Sequence, residues 1–130
     1  MAGHKGQPYY DIFLRYDMWL ETIKNERILD GEGFDLLLDI DRTGSLTASS
    51  RNLGMSYRKA WGKLRDVEQY LGFRLVDKRR GGAAGGRTVL SNEGRELVRA
   101  YNNLRYETDI AMKNIARVFF NRINDINTSR

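Results

Sequence analysis

The chain has no cysteine, one histidine, one proline and no apolar run approaching the roughly 18 residues of a membrane span. Without cysteine there are no disulfides and no thiolate metal sites. The lone histidine, His4, lies in a Gly-rich N-terminal stretch. No catalytic residue, cofactor site or metal site is therefore expected. The segment from Met1 to Tyr10 lacks the apolar stretch of a signal peptide, so the expected location is the cytoplasm, without membrane contact. The single proline is Pro8, so nothing after it breaks a long helix.

Hydrophobic residues make up 41% of the 130 residues and charged residues 30%, the balance of a globular chain. The length suits one compact domain, expected over residues 9–130 after a flexible tail at 1–8. The net charge of +5 is unevenly spread: residues 1–50 carry 5 basic and 9 acidic side chains, residues 51–130 carry 17 and 8. Between Arg51 and Arg87 the count is 10 basic against 3 acidic. A block of that sign on a folded domain fits a polyanion partner, while a solvated basic face is the plainer alternative.

Residues Tyr9 to Leu29, rich in aromatic and β-branched side chains with a charged break at Lys24, Asn25 and Glu26, suggest a hairpin of two short strands. After the punctuation of Gly31 and Gly33, the residues Phe34, Leu37, Leu38 and Ile40 fall at helical spacing until Gly44. A second helix is expected from about Leu46 to Leu53, capped by Ser45 or Thr47 and ended by a left-handed Gly54. Ser56 then caps a third, from Tyr57 to Leu71, with Tyr57, Ala60, Trp61, Leu64, Val67 and Leu71 on one inward stripe. Two helices joined by the three residues Gly54, Met55 and Ser56 make a helix-turn-helix.

Beyond Gly72, Arg74 to Arg79 and Arg87 to Leu90 read as strands around the glycine-rich loop Gly81 to Gly86, the position of a wing. A long helix should follow from about residue 91 to 126, with Ser91 or Asn92 as its cap. On it Leu97, Tyr101, Leu104, Thr108, Ala111, Ile115 and Val118 alternate by 4 and 3. Phe119, Phe120, Ile123 and Ile126 add a second apolar face that one helix of a small monomer cannot bury. The expected fold is thus mainly α with small β-hairpins, a winged helix-turn-helix whose long C-terminal helix pairs two copies into a homodimer.

The stretch GSLTASSRNLGMSYRKAW at residues 44–61 resembles the DNA-binding domain of the ModE family, molybdate-responsive transcriptional regulators related to LysR-type winged helices. The resemblance runs from about Trp19 through the wing sequence RGGAAGGRTVL at residues 80–90 and into the long helix, roughly three quarters of the chain. It rests on the combination of Gly44-Ser45, Leu53-Gly54, Ser56-Tyr57, Ala60-Trp61 and the double-glycine wing. It implies a sequence-specific regulator that binds double-stranded DNA. Ser50 stands where such helix-turn-helix sequences usually have alanine, and Gly62 is an unusual residue for an outward helical position. Members of the family continue into molybdate-binding domains for which this chain has no residues left. Oxyanion binding is therefore not expected of it; a signal could come through a separate effector protein, or the chain could respond to its own concentration alone, and no residue favours one over the other.

In such a domain the start of the third helix enters the major groove. The candidate contacts there are Ser56, Tyr57, Arg58, Lys59, Gly62 and Lys63, with Arg58 and Lys59 placed to read bases and Ser56 with the first backbone N–H groups placed for a phosphate. Tyr57 and Trp61 are better suited to core packing than to stacking on bases. In the wing, Lys78, Arg79, Arg80 and Arg87 are the candidates for phosphate contact. Asp35 and Asp39 share a face but carry no expected chemistry. Gly81 to Thr88 also fits a nucleotide-binding spacing, yet Arg87 stands where that motif needs lysine, and a strand is expected where it needs a helix. The alternatives are a nonspecific architectural DNA binder and a winged-helix protein-interaction module.

Overall fold

Asp30 starts the first helix, accepting the Gly33 N–H at 2.9 Å on its own Oδ1, and the elements on either side follow from similar local devices. A computed structural model describes residues 9–79 and 87–128. In order these form β1 (Leu20–Glu21), β2 (Arg27–Leu29), α1 (Gly31–Thr43), α2 (Leu46–Asn52), α3 (Tyr57–Leu71), β3 (Val76–Arg79), β4 (Arg87–Leu90) and α4 (Asn92–Thr128). The architecture is mainly helical, with two small antiparallel hairpins and one long C-terminal helix. The chain divides into two compact units, one of residues 18–101 and one joining the described parts of 1–17 and 102–130.

In the first unit, the expected N-terminal hairpin is present but short. Thr22 Oγ1 accepts the N–H groups of Lys24 and Glu26, and Asn25 takes the left-handed conformation, so the charged break is the turn. Its strands cover Leu20–Glu21 and Arg27–Leu29 alone, and the segment from Ile12 to Trp19 forms no ladder. A two-stranded ribbon has few partners to bury against, and Ile23 at its tip is wholly exposed.

Gly31 and Gly33, read as punctuation, lie inside the first turn of α1 instead. The buried face of α1 is Phe34, Leu36, Leu37 and Ile40, whereas Leu38, expected inward, is 42% exposed. A run of three leucines offers two possible stripes, and packing against α2 and α3 selects the one through Leu36. Ser45, not Thr47, caps α2 by accepting the Ala48 N–H at 3.0 Å. Gly54 turns the chain at φ 67°, and Ser56 accepts the Lys59 N–H at 3.0 Å to start α3. Ala60, Leu64 and Val67 of α3 close over α1, and Gly72 ends the helix at φ 82°.

The strands β3 and β4 pair Val76 with Leu90, Asp77 with Val89, Lys78 with Thr88 and Arg79 with Arg87. The Thr88 N–H donates to the Gly44 carbonyl at 3.0 Å, tying this hairpin to the end of α1. Of the two candidate caps for α4 it is Ser91 that serves: its Oγ accepts the Gly94 N–H at 2.9 Å and donates to the Arg74 carbonyl. Gly94 is pressed against the chain at Leu75, where a Cβ would collide with the carbonyl oxygen. Phe34 and Tyr101 then stack with ring centroids 4.7 Å apart.

The second unit is simpler. The C-terminal part of α4 buries Ala116 and Phe120, with Thr108 and Met112 half-buried on the same i+4 row, and Asp109 accepts a hydrogen bond from the Tyr16 hydroxyl. The stripe expected inward is rotated: Leu104 is exposed, Ile115 is 56% exposed and Val118 52%. Periodicity offers two neighbouring rows on this part of the helix, and packing selects the one through Met112, Ala116 and Phe120.

Candidate nucleic-acid interface

Within the first unit the start of α3, the start of α2 and the wing strands β3 and β4 come together at one face. Ser45, Leu46, Thr47, Tyr57, Lys78, Arg87 and Thr88 line a groove of about 240 Å³. Tyr57, expected on the inward stripe, is 45% exposed and looks into this groove. Being the first residue of α3, it stands one turn beyond the helices that cover Ala60 and Leu64. Its hydroxyl accepts from Lys78 Nζ at 3.5 Å, and the same ammonium lies 4.8 Å from the ring centroid of the half-buried Trp61. The two aromatic rings therefore position a wing lysine beside the tip of α3.

Arg87 is set by Gly44. That glycine is left-handed at φ 69°, and a Cβ on it would come within 2.9 Å of the guanidinium, so the bare backbone gives Arg87 its seat. Across the ladder Arg79 stands directly opposite Arg87, a pairing of like charges that is unfavourable in isolation and favourable once an anion sits between them. Arg80 lies outside the described residues. Thr88, Val89 and Leu90 form a strand, so the nucleotide-binding spacing of residues 81–88 has no helix after it.

On α3, Ser56 is exposed and spends its Oγ on the helix cap. Arg58 is exposed and has no ion pair among the described residues. Lys59 and Lys63 differ. Glu32 Oε1 lies 3.5 Å from Lys59 Nζ and 3.0 Å from Lys63 Nζ, and Asp30 Oδ1 lies 3.8 Å from Lys63 Nζ. The hydrogen bond from Lys63 holds the Glu32 carboxyl below its ordinary range; burial opposes it, and the charges of Lys63 and Lys59 add to the lowering. For Asp30, burial pushes upward, but the Gly33 N–H, Lys63 and Arg27 together outweigh it and leave the group lowered. Gly62 faces open space, since a Cβ there would meet nothing within 4 Å, so no contact in the chain requires glycine at this position.

Sequence reasoning brought out the α3 and wing cations but missed Ser45 and Thr47 as groove residues, although both were singled out as caps. It also missed Glu32. Its distance along the chain from Lys59 and Lys63 leaves no periodic pattern to find.

Residues 32–95 match the family model described as bacterial regulatory helix-turn-helix protein, lysR family. The chain carries a lysR-family helix-turn-helix domain. The match begins at Glu32 of α1 and ends at Arg95 in the first turn of α4, so the groove, the tip of α3 and the described wing strands all lie within it. The LysR-type domain is 38% identical over 73 residues to the molybdenum-pterin-binding protein MopB of Rhodobacter capsulatus, which covers 56% of this chain and 27% of that protein. It is 32% identical over 87 residues to the DNA-binding transcriptional dual regulator ModE of Escherichia coli K12, covering 65% and 33%. The chain thus spans about a third or less of the length of these curated relatives. Among solved structures, the LysR family transcriptional regulator VV2_1132 shares the fold, with a TM-score of 0.53 at 17% identity over 69% of this chain and 29% of the other. Residues 32–95 thus form a lysR-type helix-turn-helix with the two-stranded wing β3–β4 behind it. No helix among the described residues is long and apolar enough to cross a membrane.

Proposed function

We propose that the chain binds double-stranded DNA as a homodimer and regulates transcription, acting on the nucleoid in the cytoplasm. The tip of α3 enters the major groove, where Arg58 reads guanine O6 and N7, and the groove beside it takes a backbone phosphate. The observation that carries this reading is the convergence of Tyr57, Lys78 and Arg87 on one concave face, with Arg79 directly across from Arg87. An isolated protein gains nothing by placing two arginines opposite each other; a phosphate backbone removes the repulsion. Ser45 and Thr47 supply hydroxyl groups to the same groove.

The homodimer is supported by the exposed apolar side chains of Ile115, Val118, Phe119 and Ile126 on α4. Two domains related by a twofold axis read half-sites one helical turn apart, ~34 to 36 Å, or a multiple of it.

The test is selection from a library of random duplexes at physiological salt, followed by sequencing of what is retained. A pseudo-palindromic motif is expected. Retention that is sensitive to salt yet shows no motif would replace the regulator with an architectural binder, and no retention would overturn DNA binding. Arg58→Ala should relax preference at particular bases, while Arg79→Ala with Arg87→Ala should weaken binding to all sequences and flatten its salt dependence by about 0.9 for each phosphate that is no longer neutralised.

A further inference from the structure

Two lysines of the recognition helix are already held within the molecule. Lys59 and Lys63 lie one turn apart on α3, side by side on its surface. Glu32 Oε1 sits between them, at 3.5 Å and 3.0 Å, and Asp30 Oδ1 flanks Lys63 at 3.8 Å. The carboxylates are themselves fixed. Asp30 is the cap of α1, held by the Gly33 N–H on Oδ1 and approached by Arg27 at 3.6 Å on Oδ2, and Glu32 occupies the first turn of α1, where the helix dipole favours a negative charge. Lys63 has only 26% of its side chain exposed. Arg58, on the same helix, is exposed and has no such partner among the described residues.

We propose that Glu32, with Asp30 beside it, sets DNA selectivity by holding Lys59 and Lys63 back from phosphates. Base reading then falls to Arg58. The inference rests on the DNA-binding reading above and adds a residue outside the DNA-facing helix that controls how strongly that helix grips any sequence. The physical argument is counterion release. Nonspecific affinity grows with the number of phosphates a protein neutralises, and a lysine already neutralised by its own carboxylate releases no counterion from DNA. A carboxylate near the DNA surface also repels phosphate. Both effects weaken binding to every sequence, and a contact through Arg58 to a particular base is spared, so the ratio of specific to nonspecific affinity rises.

The experiment measures binding of the full chain to a random-sequence duplex and to its selected site across a range of salt concentrations, for the unaltered chain, Glu32→Gln and Asp30→Asn. Glutamine keeps the shape of residue 32, and asparagine keeps a cap at residue 30. Glu32→Gln is expected to steepen the slope of log affinity against log salt by about one to two and to tighten random-sequence binding about five- to tenfold. The gain on the selected site should be smaller, and Asp30→Asn should act in the same direction with less effect. Adding Lys59→Gln and Lys63→Gln to the Glu32→Gln chain should return the slope to its original value. A merely structural role for Glu32 would change the unfolding midpoint and leave the slope alone. An unchanged slope in a chain that binds DNA would overturn the inference and leave the DNA-binding reading intact, as would weaker binding to both duplexes, which would mean that the carboxylates position the lysines for DNA. Failure of all the chains, the unaltered one included, to bind any duplex would overturn both.

Discussion

The unit of residues 18–101 and the unit built from the two ends of the chain treat apolar surface in opposite ways. In the first, Leu29, Leu36, Leu37, Ile40, Leu64, Leu75 and Leu90 are all essentially inaccessible, and the exposed face carries the cations. In the second, Ala116 and Phe120 are buried while Ile110, Ile115, Val118, Phe119 and Ile126 of the same helix lie open. The first has the burial of a domain that stands alone. The second has more apolar surface than one helix and one N-terminal segment can cover, which is the condition under which a helix seeks another copy.

The largest expected effect falls on the self-contained unit. Gly94→Ala should cost about 3 kcal/mol or more, because its Cβ would collide with the Leu75 carbonyl oxygen, a backbone atom that also accepts the Ser91 N–H at 2.8 Å. The urea midpoint measures it, and an unchanged midpoint would mean that α4 does not lie against Leu75. Next comes the second unit. Ile115→Ser with Phe119→Ser should raise the dissociation constant of the dimer at least about tenfold in sedimentation equilibrium, since both substitutions remove apolar side chains from the proposed interface. Their effect on the first unit should be nil, read as unchanged protection from hydrogen exchange at Leu36 and Leu64. Equal destabilisation of both units would abolish the contrast drawn between them. Smaller again, Ser56→Ala removes the cap of α3 and should cost about 1 kcal/mol.

The two units also differ in how far their sequence could be read. The helix-turn-helix was legible because its signals are local: Ser45 and Ser56 cap, Gly54 and Gly72 turn, and α3 runs from Tyr57 to Leu71 as its apolar spacing implies. The face of α4 was not. Ala111, Ile115 and Val118 form as good a stripe as the neighbouring Met112, Ala116 and Phe120, and Asp109, beside the covered row, is joined to a tyrosine 93 positions away. Periodicity offers two faces there, and long-range packing selects one. The same limit applied within the candidate interface. Arg58 and the wing cations follow from their place in the motif, whereas the pairing of Glu32 with Lys59 and Lys63 joins two helices whose sequence patterns are independent.

Asp39 supplies the smallest effect and a test of how the helix-turn-helix holds itself together. The sequence assigned it no chemistry, and its role is structural: Oδ1 accepts from Arg42 at 2.7 Å and Oδ2 from Asn52 at 3.0 Å, so one carboxylate links α1 to the last residue of α2. The Arg42 hydrogen bond depresses its proton affinity most, burial opposes it, and Asn52 and Ser49 add to the depression. A carboxyl held below its unfolded value, near 4, contributes stability that is fully present above that value and is lost as pH falls through the folded one. Asp39→Asn should therefore cost about half a kcal/mol at pH 7, where the pair is partly screened by solvent, and the difference from the unaltered chain should shrink as pH falls below the unfolded value and vanish once the folded carboxyl is protonated. Urea titrations at a series of pH values read this directly. A difference that persists into acid would mean that the shape of the side chain, rather than its charge, joins α1 to α2.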